Sequence, residues 1–158
     1  MATRVIYLAL VWLHVVATML WVGGVAFFPL VALPVARNFP VVASALTGAI
    51  GRRFRVIGWV CLGILLVTGP MLLWLHGIRP RMLLAYPFWS SAFGQVLAVK
   101  LALVVALLAV TLWHDLWLGP RVTTGDLAAL RWARYGGRAM ALLSLLVVAA
   151  AVVLVRGV

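Results

Sequence analysis

The sequence predicts an all-α, polytopic membrane protein: a four-transmembrane-helix bundle with its N and C termini on the outer side, periplasmic or extracellular. Three observations predict this fold class. Of the 158 residues, 67% are hydrophobic and only 9% are charged, whereas a soluble domain carries about 25% charged residues. Four apolar stretches approach or exceed the roughly 20 residues that cross a hydrocarbon core. The arginines gather in alternate connections between these stretches.

The four apolar stretches are each expected to be a helix. No stretch alternates like a barrel strand, and backbone groups in lipid must be satisfied within the segment, which a helix achieves. Pro29 or Pro34 would stop or kink the first helix, and Pro80 and Pro120 follow the second and third. At this length one domain, residues 1–158, is the natural count. The predicted helices cover about residues 5–32, 56–76, 91–118 and 137–155.

The connections carry weaker signals of their own. Phe39 to Ile50 is mildly apolar and is expected to form a short surface helix. Met82 to Trp89 is aromatic and is expected at the headgroup level on the outer side. Leu127 to Arg138 is basic and has a helical composition, which suits anionic lipid at the cytoplasmic face.

The orientation follows from the arginines. The first and third connections hold eight cations, against four in the two terminal segments and the second connection. Positive-inside bias places the basic connections in the cytoplasm and both termini outside. We therefore expect a multi-pass protein of the inner (cytoplasmic) membrane whose main partner is the lipid bilayer. The eight cations are Arg37, Arg52, Arg53, Arg55, Arg121, Arg131, Arg134 and Arg138.

The composition excludes several classes of function. The net charge of +11 does not indicate a nucleic-acid partner, because nucleic-acid binders gather cations on one polar face. Here the arginines separate apolar runs, where they meet lipid headgroups. Asp115 and Asp126 are the only acidic residues and Cys61 is the only cysteine, so neither a catalytic carboxylate pair nor an internal disulfide is expected. Whether the protein is an enzyme stays open.

Among the ionisable side chains of the apolar stretches, three are candidate functional residues: His14, Lys100 and His114. Placing such groups in a membrane helix costs several kcal/mol, so each is a functional-site hypothesis. Lys100 and His114 lie on one stripe with Leu107, since the three are spaced by sevens. His14, Thr18 and Trp21 form a comparable stripe in the first helix. The simplest packing turns both stripes into the bundle interior.

Each of these residues also has a plainer interpretation. A membrane histidine can serve only a helix–helix hydrogen bond, His114 can pair with Asp115 near the headgroups, and Lys100 can extend its stem outward. His14 and His114 differ by about 15 Å in depth along parallel helices, too far for two ligands of one ion. The depths favour an outer site around His14 and Lys100 and a separate inner site at His114.

Several strings resemble the copper-resistance D membrane domain over nearly the whole chain. They are LHVVATMLWVGGVAFFPL in the first helix, RRF and TGP in the second, FGQVLAVKLALVV and WHDLWLGPR in the third, and the later RWARYGGR. The resemblance implies copper uptake or resistance. Larger members of that family carry a periplasmic copper-binding domain, so a separate periplasmic copper-binding partner is a further expectation here.

The chain is also similar to haem-binding membrane proteins of the HemJ type. The shared features are a first-helix His followed by Trp-x-x-Gly, and a third helix carrying Lys and then His. This likeness implies His14, Lys100 and His114 as cofactor-binding positions. The second His that the HemJ type has after its first helix is missing here, where Val35 to Phe39 stands instead.

Three functions therefore stay open. The first is copper handling within the bundle, with His14 and His114 as metal ligands. The second is binding of haem b, with protoporphyrinogen-oxidase-like activity as an extension. The third is a non-catalytic membrane scaffold. A homo-oligomer is compatible with all three.

Overall fold

The computed structural model describes residues 2–39, 41–123 and 127–156. All regular secondary structure in these ranges is helical. Four of the helices are long and apolar enough to cross a membrane, which confirms the predicted fold class. The orientation of the termini stays a prediction. The four candidate spans are Ala2–Arg37, Ala45–Leu75, Ala92–Arg121 and Arg131–Val155.

The helical elements follow one another with short connections. In chain order they are α1 (Ala2–Phe27), a first π-helical segment (Phe28–Ala32), α2 (Leu33–Arg37), α3 (Ala43–Leu75), α4 (Pro80–Leu83), α5 (Tyr86–Ser90), α6 (Ala92–Trp113), a second π-helical segment (His114–Leu118), α7 (Gly119–Thr123) and α8 (Leu127–Val155).

The chain divides into two compact units, Met1–Pro80 and Arg81–Val158. In the first unit α1 packs on α3, and in the second α6 packs on α8. The first hairpin is antiparallel, because ring contacts join Tyr7 to His76 and Trp21 to Phe54. Residues later in α1 therefore lie opposite residues earlier in α3. The expectation of one domain stays a prediction.

The helices are longer than the apolar stretches that predicted them. α3 begins at Ala43 rather than near residue 56, and α8 begins at Leu127 rather than near 137. The segment expected as a separate surface helix is thus largely the first part of α3. The physical reason is that hydropathy marks only the lipid-embedded part of a helix. Arginine, alanine and leucine are good helix formers, so the helix continues past the hydrocarbon.

The prolines expected to stop or kink the first helix, and the proline expected after the third, lie near the starts of helical segments. Pro29 lies in the first turn of the first π-helical segment and Pro34 in the first turn of α2. Pro120 is the second residue of α7, directly after the second π-helical segment. Proline is tolerated in a first turn because its missing N–H has no essential partner there. Each π-helical segment shifts the hydrogen-bond register and makes such a restart possible.

The surface of the two hairpins is apolar. Trp12, Met19 and Leu30 expose 68%, 68% and 73% of their area, and similar side chains lie along every long helix. A water-soluble chain rarely exposes apolar side chains so continuously, so these faces are the lipid contact. The interface within the first hairpin is closed by Trp21, whose ring lies where a side chain at Gly58 would have to go.

Candidate functional site

The first unit holds a hydrogen bond between its two long helices. Nδ1 of His14 on α1 lies 2.6 Å from Oγ1 of Thr68 on α3. Thr68 is 2% exposed, and His14 is half-buried. The predicted stripe on α1 therefore faces α3, since Trp21, two turns further along, is also buried against that helix.

The bonds of Thr68 indicate the tautomer of His14. The Thr68 hydroxyl donates to the carbonyl oxygen of Ile64 at 2.7 Å, which uses its only hydrogen. Nδ1 of His14 must then donate to Oγ1. In the neutral ring this leaves the lone pair on Nε2. A histidine that binds a metal through one nitrogen usually donates its other N–H in this way.

The residues that follow Thr68 shape α3 beside the imidazole. A side-chain Cβ at Gly69 would lie 3.8 Å from Cε1 of His14, so the ring rests against this glycine. Pro70 lies inside α3 and has no N–H to donate to the preceding turn, which bends a helix. On α1, Thr18 donates to the His14 carbonyl at 2.8 Å. Thr68 and Gly69 together form the surface that His14 meets.

Lys100 lies on α6 in the second unit and is half-buried. Leu97, one turn before it, and Leu107, two turns after it, are both buried. Within the described ranges Lys100 makes no hydrogen bond or ion pair. The predicted stripe is thus turned at least partly toward the protein, and the amine has no hydrogen-bond or ion-pair partner among the residues that the structure describes.

His114 begins the second π-helical segment. Its Nδ1 lies 3.2 Å from Oδ1 of Asp115, with the two side chains 27% and 15% exposed. Its ring packs on Gly136 of α8, where a Cβ would lie 3.1 Å from Cδ2. This geometry matches the plainer interpretation, a histidine paired with the neighbouring aspartate. Lys100 and His114 are 14 residues apart on nearly continuous helix, about 21 Å by helix rise, so they do not share one ligand atom.

No group of three His, Cys, Asp or Glu side chains lies close enough to hold a metal ion in the part of the chain that the structure describes. His14 belongs to the first unit, and Lys100 and His114 belong to the second. The hydrogen bond that the structure gives for His14 to another side chain joins its imidazole to the Thr68 hydroxyl of the same unit.

Comparison with known proteins places the chain in a family. The family model for copper resistance protein D matches residues 48–154. The chain belongs to the copper resistance protein D family. An uncharacterized protein of Aquifex aeolicus (strain VF5) is 30% identical over 139 residues, which covers 86% of this chain and 86% of that protein. No solved structure matches the chain.

Membership of the copper resistance protein D family confirms the resemblance seen in the sequence and supports a membrane protein of the copper-resistance type. The matched segment contains Thr68, Lys100 and His114 and begins after His14. Thr68 is the site residue that the sequence analysis missed, because its string TGP was noted only as a family likeness. Their spacing could have indicated the pair. His14 and Thr68 are each 27 residues from Val41, in the turn of the hairpin, so an antiparallel hairpin brings them opposite each other.

Proposed function

We propose that this copper resistance protein D family member handles copper within the membrane, with His14 as a ligand to the metal as cargo. The observation that carries the proposal is the hydrogen bond from His14 to the buried Thr68 hydroxyl. A histidine ring whose orientation is already fixed by a hydrogen bond loses less conformational entropy when it binds a metal. Cu(I) needs only two or three soft or imidazole ligands, so a sparse site is sufficient.

The outer site around His14 and Lys100 and the inner site at His114 stay predictions from depth along the helices. The metal ligands proposed here are His14 in the first unit and His114 in the second. Both termini then lie on the outer side of the inner membrane. A periplasmic copper-binding protein is the partner class that could exchange metal with the outer site. His14 carries more weight than His114 in this proposal because its partner, Thr68, lies on another helix and is 2% exposed, whereas His114 pairs with its sequence neighbour Asp115.

Copper loading of the purified protein tests the role of His14. His14→Ala should lower the bound copper per chain well below that of the wild type. His76→Ala is the matched control, since His76 lies in the same unit at the end of α3 and its ring is placed against the backbone carbonyl of Leu72 at 2.9 Å. Equal copper contents in the two variants would contradict the proposal.

Haem b is the second candidate, and one observation favours it. The macrocycle supplies four ligands to iron, so an axial histidine can suffice where no three-ligand cluster occurs in the described ranges. His14 with its Nδ1 held by Thr68 fits an axial ligand. An absorbance spectrum of protein expressed with added hemin distinguishes the candidates. A Soret band that is lost in His14→Ala and kept in His76→Ala would favour haem binding. A colourless wild-type protein would rule out the haem candidate.

The scaffold alternative makes a separate prediction. If His14 serves helix packing only, then His14→Ala lowers thermal stability while copper and haem binding are absent in every variant. Measuring stability and ligand content on the same samples separates this outcome from the other two.

A further inference from the structure

A cavity of about 360 Å³ opens on the first unit, where the end of α1 and the first π-helical segment face the early part of α3. Its wall is apolar and rich in aromatic rings. Arg53 is the only charged residue among those that line it. The principal lining residues are Gly24, Phe27, Phe28, Ala49, Arg53 and Phe54.

The charge of Arg53 has no counterpart in its own unit. Asp115 and Asp126 are the only acidic residues of the chain, and both belong to the second unit. Within the described ranges Arg53 makes no hydrogen bond or ion pair, and its side chain is exposed. Arg53 lines the hollow with the apolar part of its side chain. An arginine at the wall of an apolar hollow is complementary to an amphipathic anion.

We propose that this cavity binds one anionic phospholipid, with an acyl chain among the phenylalanine rings and the phosphate at Arg53. Three features favour a lipid as the occupant. The hollow is apolar, its cation lies toward the end of a membrane span, before the apolar run that starts at Val56, and the bilayer supplies this ligand at high concentration. The site is independent of the copper or haem proposal, because it shares no residue with the His14 and Thr68 pair.

Binding of phosphatidylglycerol to detergent-purified protein, followed by native mass spectrometry, tests the site. Phosphatidylcholine with the same acyl chains is the headgroup control. Arg53→Gln should weaken phosphatidylglycerol binding about fivefold, the effect of one cation near an anionic lipid surface. Arg55→Gln is the matched control, since it removes the same charge two residues away, about 200° around α3, and does not line the cavity.

A second variant tests the apolar part of the site. Ala49→Phe should fill the hollow and lower phosphatidylglycerol binding without changing the charge. Equal losses for Arg53→Gln and Arg55→Gln would overturn the proposal in favour of diffuse attraction. Equal binding of the two lipids would also overturn it. So would displacement of the lipid by hemin, or a stable dimer that buries the cavity and excludes phosphatidylglycerol.

Discussion

Nδ1 of His14 and Oγ1 of Thr68 lie 2.6 Å apart and join α1 to α3. Water is excluded from Thr68, which is 2% exposed. An unmade hydrogen bond in such surroundings costs about 1–3 kcal/mol, so the bond contributes to holding the hairpin together. It also fixes the direction of the imidazole, which is the property that a metal ligand needs.

Thr68→Val tests whether this bond positions His14 for a ligand. Valine keeps the shape of threonine and removes the hydroxyl, so Nδ1 of His14 loses its acceptor. We expect the affinity for copper, or for haem if that is the ligand, to fall about 10- to 100-fold, the usual effect of removing a partner behind a metal-binding histidine. Thr68→Ser should restore most of the affinity.

The control for this experiment is Thr111→Val. Thr111 is equally buried on α6, and its hydroxyl donates to the carbonyl of Leu107 at 2.8 Å. It has the same chemistry but lies in the other unit. If Thr111→Val reduces binding as much as Thr68→Val, the loss reflects general destabilisation and the positioning role is wrong.

Pro70→Ala should separate stability from ligand binding. Alanine restores an N–H that can donate to the carbonyl four residues earlier, so the thermal unfolding midpoint should rise. The same change straightens α3 beside Thr68, so copper or haem content should fall. Both quantities are measured on one preparation, with Pro80→Ala, at the start of the exposed α4, as the control. A higher midpoint with full ligand content would show that the bend does not position the site.

The fold could be predicted from the sequence because lipid leaves few choices for a chain this apolar. Runs of about 20 apolar residues form helices because, in lipid, a single segment can satisfy its backbone hydrogen bonds only as a helix. The ends of the helices could not be predicted in the same way. Hydropathy falls at Arg52 and at Arg138, yet the backbone of α3 and α8 is helical on both sides of these residues.

The site was predicted only in part. The energetic cost of placing an ionisable side chain in the membrane singles out His14, Lys100 and His114, because such residues are rare in membrane helices. The same reasoning passes over Thr68, since a threonine can satisfy itself by bonding to its own helix, as Thr68 does with Ile64. Its second bond, to His14, depends on the register of α1 against α3. That register is set by the packing of α1 on α3, which composition does not specify.

Gly24→Ala should destabilise the first hairpin by about 1–3 kcal/mol through overpacking. A Cβ at Gly24 would overlap the ring of Phe54, which stacks on Trp21 with ring centroids 5.9 Å apart. Gly23→Ala is the neighbouring control, because no atom in the described part of the chain lies within 4 Å of a Cβ there. It should be neutral or stabilise by up to about 1 kcal/mol. Thermal unfolding in detergent compares the two, and equal midpoints would contradict the packing argument.

Reporter fusions test the orientation of the chain. Alkaline phosphatase fused after Val158 should be active, because the enzyme folds only outside the cytoplasm. The same reporter inserted in the connection before α3, near Val41, should be inactive. The expectation rests on the eight arginines of the first and third connections. Activity in the opposite pattern would invert the topology and exchange the outer and inner sites.

Lys100→Met distinguishes a functional amine from one that only reaches the headgroups. The half-buried amine makes no hydrogen bond or ion pair within the described ranges, and a lysine deep in a membrane helix costs up to about 3 kcal/mol. Methionine has a similar length and no charge, so the unfolding midpoint should rise. If the amine acts on copper or haem, ligand content or transport should fall in the same variant. Gln95→Met, which replaces an exposed polar residue earlier on α6, should change neither. A Lys100→Met protein with unchanged stability and unchanged ligand binding would mean that the stem carries the charge to the membrane surface, and the outer site would then rest on His14 alone.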